Sequence, residues 1–94
     1  MLNKEVYTSA LETFGAYTQT MMVFEEMAEL QKELCKDLRG EDHTDQIAEE
    51  IADVSIMLDQ MMLLHNCEAA VAEVKSLKVD RLRRTVDKRR RGIR

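Results

Sequence analysis

No proline occurs in these 94 residues, and the only glycines are Gly15, Gly40 and Gly92. Sandwiches and barrels need turn residues at short intervals, with aromatic and β-branched runs between them. Here aromatics contribute 4%, while seven methionines accompany abundant Leu, Ala, Glu, Lys and Arg, all strong helix formers. Gly15 and Gly40 divide the chain into stretches of helical length. An all-α fold is predicted.

At 10.9 kDa the chain has room for a single small domain spanning residues 1–94. Hydrophobic residues at 45% are too many for a disordered segment. Four helices are expected, packed like a four-helix bundle. The first covers Leu2 to Phe14 and stops at Gly15. The second runs from Thr18, a good N-cap, to Arg39, ahead of Gly40. Asp42 or Thr44 is placed to cap the third, which continues to His65 and ends where Asn66 can turn left-handed. The fourth starts near Cys67 and frays after Asp87 into a basic tail at 88–94.

Cys35 and Cys67 suggest neither a metal cluster nor a disulfide framework, so they read as reduced thiols of a cytoplasmic protein. Met1 to Gly15 carries Glu5 and Glu12 without an apolar centre, which predicts no secretory signal. The longest apolar run, Met61 to Leu64, is too short for a membrane span.

Charge is divided along the chain. Residues 1–74 hold 4 basic and 16 acidic side chains, a balance of −12, and residues 75–94 hold 10 basic and 2 acidic, a balance of +8. Such a chain must pair its halves, recruit cations or bind a polyanion.

Helical periodicity gives the second helix an apolar arc of Phe24, Met27, Ala28, Gln31, Leu34, Cys35 and Leu38, which is expected to face inward. The third has a main stripe of Ile47, Ile51, Val54, Leu58, Met61 and His65, with Ile56 and Leu63 on another side. Four short helices cannot cover a helix that is apolar on more than one side, so a homo-oligomer is predicted. In the fourth helix Lys78, Arg81 and Thr85 share an arc with Val71, Val74, Leu77 and Leu82. That arrangement predicts basic groups turned toward the acidic helices.

Two fragments carry the chemistry: Glu25-Glu26-Met27-Ala28-Glu29-Leu30 and Glu49-Glu50-Ile51-Ala52-Asp53-Val54. Each sets two carboxylates three residues apart, on one side of its helix. On antiparallel neighbours, Glu26, Glu29, Glu50 and Asp53 can converge. Two carboxylates about 5 Å apart repel by roughly 3 kcal/mol at an effective dielectric of about 20. A converged set must therefore protonate or bind hard cations, Mg²⁺ above all. The bland alternative is two solvated acidic faces. Helix two favours it, since Glu26 and Glu29 lie away from the centre of its arc. Helix three opposes it, because Glu50 and Asp53 border the stripe in line with Met57, Met61 and Leu64.

The order E-x-x-E, then E-x-x-D, resembles that of the MazG-like, all-α nucleoside triphosphate pyrophosphohydrolases. Similar segments in small members match Ala10-Leu11-Glu12-Thr13-Phe14-Gly15 followed by Gln19, Lys36-x-x-Arg39-Gly40, Ile56-Met57-Leu58 and Lys78-Val79-Asp80-Arg81-Leu82-x-Arg84. The resemblance implies a MazG-type fold, a dimer or tetramer, and Mg²⁺-dependent hydrolysis of a (deoxy)nucleoside triphosphate to the monophosphate and pyrophosphate. Mn²⁺ is the natural substitute. Carried over by position, Glu26, Glu29, Glu50 and Asp53 would be metal ligands, and Glu29 or Glu50 would also help generate the nucleophile. Lys78, Arg81 and Arg84 would contact phosphates, and Gln19 would approach the base.

Two rivals fit less well. A di-iron bundle wants Glu-x-x-His on two helices, and neither His43 nor His65 supplies it. Nucleic-acid binding through the basic end is opposed by the −12 balance of the remainder and by the lack of aromatic residues within the basic run. A non-catalytic helical assembly is the remaining alternative.

Overall fold

In the computed structural model, residues 1–92 are described, and they form four α-helices and no strand. They are α1 (Lys4–Phe14), α2 (Ala16–Leu38), α3 (Thr44–Leu64) and α4 (Glu68–Arg90). Positions 93 and 94 of the basic tail lie outside the described residues.

Local chemistry explains each boundary. Gly15 alone separates α1 from α2, at φ 91° and ψ 154°, a conformation closed to residues with a Cβ. Its N–H donates to the Leu11 carbonyl and its own carbonyl accepts from the Gln19 N–H. The second helix thus begins at Ala16, two residues before the expected Thr18 cap. Gly40, at φ 93°, turns the chain after α2. The Asp42 carboxylate accepts from both the Thr44 N–H (3.2 Å) and the Thr44 hydroxyl (2.9 Å), so Asp42 organises the start of α3. Asn66 takes the left-handed conformation that ends α3. The fourth helix runs through the expected fraying point at Asp87 to Arg90.

The core lies between α2 and α3, with α1 laid across both, while α4 meets the other helices only at α3. Its buried apolar members are Tyr7, Val23, Val54 and Met57. This core overturns the expected face of α2. Residues 19, 23 and 33 point inward, with Met22, Glu26 and Leu30 half-buried beside them. Phe24 (59% exposed), Met27, Leu34 and Leu38 face out. The apolar arc therefore lies on the outer side of the α2–α3 pair. On α3 the buried line runs through Val54, Met57 and Gln60, leaving Ile51 and Leu58 exposed.

No residue of α4 is buried. Its apolar stripe is exposed rather than packed on the acidic helices of the same chain, as are Lys78 and Arg81, because of the other helices α4 touches only α3, to which the turn at residues 65–67 joins its start, and touches it slightly. The Met1 amine meets Glu68 there, at 3.3 Å. The radius of gyration is 16.9 Å, against about 12 Å for a compact chain of this length. The accessible area is 7623 Å², against about 5600 Å² for a monomer of this mass. No helix among the described residues is long and apolar enough to cross a membrane. Both cysteines are free, Cys35 exposed and Cys67 half-buried.

Candidate metal centre

The antiparallel α2–α3 pair decides which carboxylates meet. Glu26 enters from the inward face of α2, and Glu50 and Asp53 enter from α3, one turn apart. One carboxylate oxygen from each lies within 4.8 Å of the others. All three side chains are half-buried. Their oxygens are the only donors in the group, a set suited to hard divalent cations.

Electrostatics at this point is unfavourable to the bare protein. Burial, then the Asp53 charge, then those of Glu29 and Glu25 push the Glu26 carboxyl above its usual range. Glu50 is raised in the same way, by burial first and then by Asp53, Glu26, Glu29 and Glu49. Among the described residues, Glu50 Oε2 is buried and meets no hydrogen-bond partner. A buried carboxylate oxygen without a donor is a costly arrangement unless a proton or a cation meets it.

Of the four expected ligands, the structure thus brings three together. Glu29 is exposed one turn along α2 from Glu26 and lies outside the close group, although its charge reaches both raised glutamates. Lys78, Arg81 and Arg84 lie exposed on α4, and none forms an ion pair with a carboxylate of α2 or α3 among the described residues. Gln19, expected near a base, is instead buried: its Nε2 donates to Gln60 Oε1 at 2.7 Å.

Two partners were not foreseen. His43, expected only as part of a loop, places Nδ1 2.7 Å from Glu33 Oε2. Lys36 Nζ lies 3.6 Å from the other oxygen of Glu33, and Glu41 Oε1 stands 3.9 Å from His43 Nε2. Burial opposes ionisation of Glu33, but the His43 hydrogen bond and the Lys36 charge together bring its carboxyl below the usual range. Gln60 was the other omission. The sequence signal lay on the α2 side alone, where Gln19, Glu26 and Glu33 recur at intervals of seven, and no local feature pairs them with Gln60 or His43.

Comparison with family models, curated proteins and solved structures finds no match to this chain.

Proposed function

We propose that this chain is a nucleoside triphosphate pyrophosphohydrolase that uses a divalent cation, Mg²⁺ with Mn²⁺ as substitute, and works as a homo-oligomer. The observation that carries the reading is Glu50 Oε2, buried without a partner beside Glu26 and Asp53. Together with the resemblance of the two acidic fragments to MazG-like enzymes, it supports a cation site over a solvated acidic face.

In this reading Glu26, Glu50 and Asp53 hold the ion and Glu29 extends the carboxylate set along α2. A divalent cation bound there supplies charge neutralisation for a triphosphate and acidifies water. Glu50 accepts the proton of the water attacking the α-phosphorus. Monophosphate and pyrophosphate result. Lys78, Arg81 and Arg84 contribute positive charge for the leaving pyrophosphate.

Assembly follows from surface. The area in excess of a compact monomer is about 2000 Å², more than the roughly 800 Å² that each partner buries in a standard interface. Phe24, Met27, Leu34, Ile51 and Leu58 are exposed on the hairpin, and Val71, Val74, Leu77 and Leu82 on α4. A dimer or tetramer covers these faces and brings the basic helix of one copy onto acidic surface.

Pyrophosphate release from a panel of canonical and modified triphosphates, with Mg²⁺ and with EDTA, tests the activity. Cation-dependent release supports it, and a blank across the whole panel removes it. One observation favours a second reading, in which α4 binds nucleic acid: every Lys and Arg from residue 75 to residue 91 is exposed. Binding to DNA that persists at moderate salt would support that alternative.

A further inference from the structure

The α2–α3 interface carries polar side chains where a helix pair ordinarily buries aliphatic ones, and it carries them at one interval. On α2 they are Gln19, Glu26 and Glu33, each seven residues from the next, the spacing that returns a side chain to one seam. The partners on the other side run in the reverse direction: Gln60 meets Gln19, Asp53 faces Glu26, and His43 meets Glu33. A step of seven forward on α2, from Gln19 to Glu26, is matched by a step of seven back on α3, from Gln60 to Asp53. The carboxylates therefore occupy the middle of three polar layers.

The outer Gln19–Gln60 layer is hard to explain as a source of stability. Both amides are buried, at 7% and 4% exposure. Replacing both members of a buried hydrogen-bonded pair by apolar groups of similar shape is close to neutral or stabilising. What the pair does supply is register. Thr20 Oγ1 on Met61 Sδ and Gln60 Nε2 on Met57 Sδ, each at 3.7 Å, add further orientation. A slip of α3 by one turn, about 5.4 Å, would bury two unpaired amides. It would also exceed the 4.8 Å within which the carboxylate oxygens gather.

We infer that Gln19 and Gln60 are positioning residues, whose buried amide pair fixes the α2–α3 register that sets Glu26 against Glu50 and Asp53. The inference rests on reading that cluster as a cation site. It gives Gln19 a role that needs no contact with substrate.

The test compares wild type, Gln60→Leu, Gln19→Met/Gln60→Met and Gln19→Leu/Gln60→Leu. Three quantities are measured: melting temperature in EDTA, Mg²⁺ affinity by calorimetry, and the distance between nitroxides on Cys35 and an Ala48→Cys site in a Cys67→Ala background. Residues 35 and 48 are exposed, one on each helix. Gln60→Leu, which strands the Gln19 amide, should melt below wild type. At least one double variant should melt at or above wild type, yet bind Mg²⁺ at least tenfold more weakly, with a shifted or broadened distance. Stability and cation binding would then move apart, which a purely structural role does not produce. A folded double variant with wild-type distance and Mg²⁺ affinity would overturn the inference, as would failure of both double variants to fold. If the wild type binds no Mg²⁺, the cation reading falls, and the nitroxide distance alone decides the register claim.

Discussion

His43 Nδ1 lies 2.7 Å from Glu33 Oε2, tying the first residue before α3 to the last buried residue of α2. The contact spans ten residues and closes the α2–α3 turn around Gly40. Asp42 assists from within the turn, its carboxyl held below the usual range chiefly by the Thr44 backbone N–H. The hairpin is thereby pinned two turns of α3 ahead of Glu50.

Glu33 is more acidic in the folded chain than in the unfolded one, so its contribution is present above the unfolded carboxylate range. It is lost as pH falls through its folded value. Glu33→Gln should lower the melting temperature by a few degrees at pH 7, with the gap to wild type closing in acid. An undiminished gap at low pH would assign the effect to packing.

The carboxylate cluster carries the opposite sign. Glu26 and Glu50 hold protons more tightly folded than unfolded, so their contribution is favourable below the unfolded range and lost as pH rises through the folded values. In EDTA at pH 7, Glu50→Gln should melt at or above wild type. A marked fall in its melting temperature would contradict repulsion at this point.

Cation linkage should reverse that ranking. At a free concentration one hundred times its dissociation constant, Mg²⁺ adds about 2.7 kcal/mol to a site formed only in the folded state. For a domain of this size that is a rise in melting temperature of more than about 10 °C. Scanning fluorimetry with and without Mg²⁺ checks it, with Asp53→Asn as the variant expected to lose the response. A flat wild-type response would leave the cluster without an ion.

Turnover should depend on the same residues unequally. Glu50→Gln should lose about 100-fold or more in kcat if it accepts the proton of water. Lys78→Ala should act less severely. Steady-state pyrophosphate release measures both, with helicity by circular dichroism as the control for folding.

Assembly is checked by mass. Light scattering after gel filtration should give a multiple of 10.9 kDa. Phe24→Asp, on the exposed arc of α2, should shift the population toward monomer. A wild-type chain that runs as a monomer at micromolar concentration would dismiss the oligomer.

Much of this architecture was legible from local chemistry. Helix ends at Gly15, Gly40 and Asn66 follow from backbone conformations that few residues tolerate, and those restrictions act without regard to the rest of the molecule. The doubled acidic spacing was legible for the same reason, since residues three apart share a helix side wherever the helix lies.

Which side faces inward was a different matter. Periodicity found the arc of Phe24, Met27 and Leu34 but could not say whether its cover comes from the same chain. The fold turned that arc outward and put Gln19, Val23, Glu26 and Glu33 against α3. Likewise Lys78 and Arg81 share a stripe with Val74 and Leu82, yet no helix of the same chain covers it.

Four helices, their punctuation and a pair of acidic turns are written in local order, because each depends on residues within a few positions of one another. That Glu26 rather than Glu29 meets Glu50 and Asp53, and that Gln60 and His43 belong to the same seam, emerges from the packing of α2 on α3. Those choices depend on the rotation and register of two helices about each other, and contacts between residues far apart in the chain settle both.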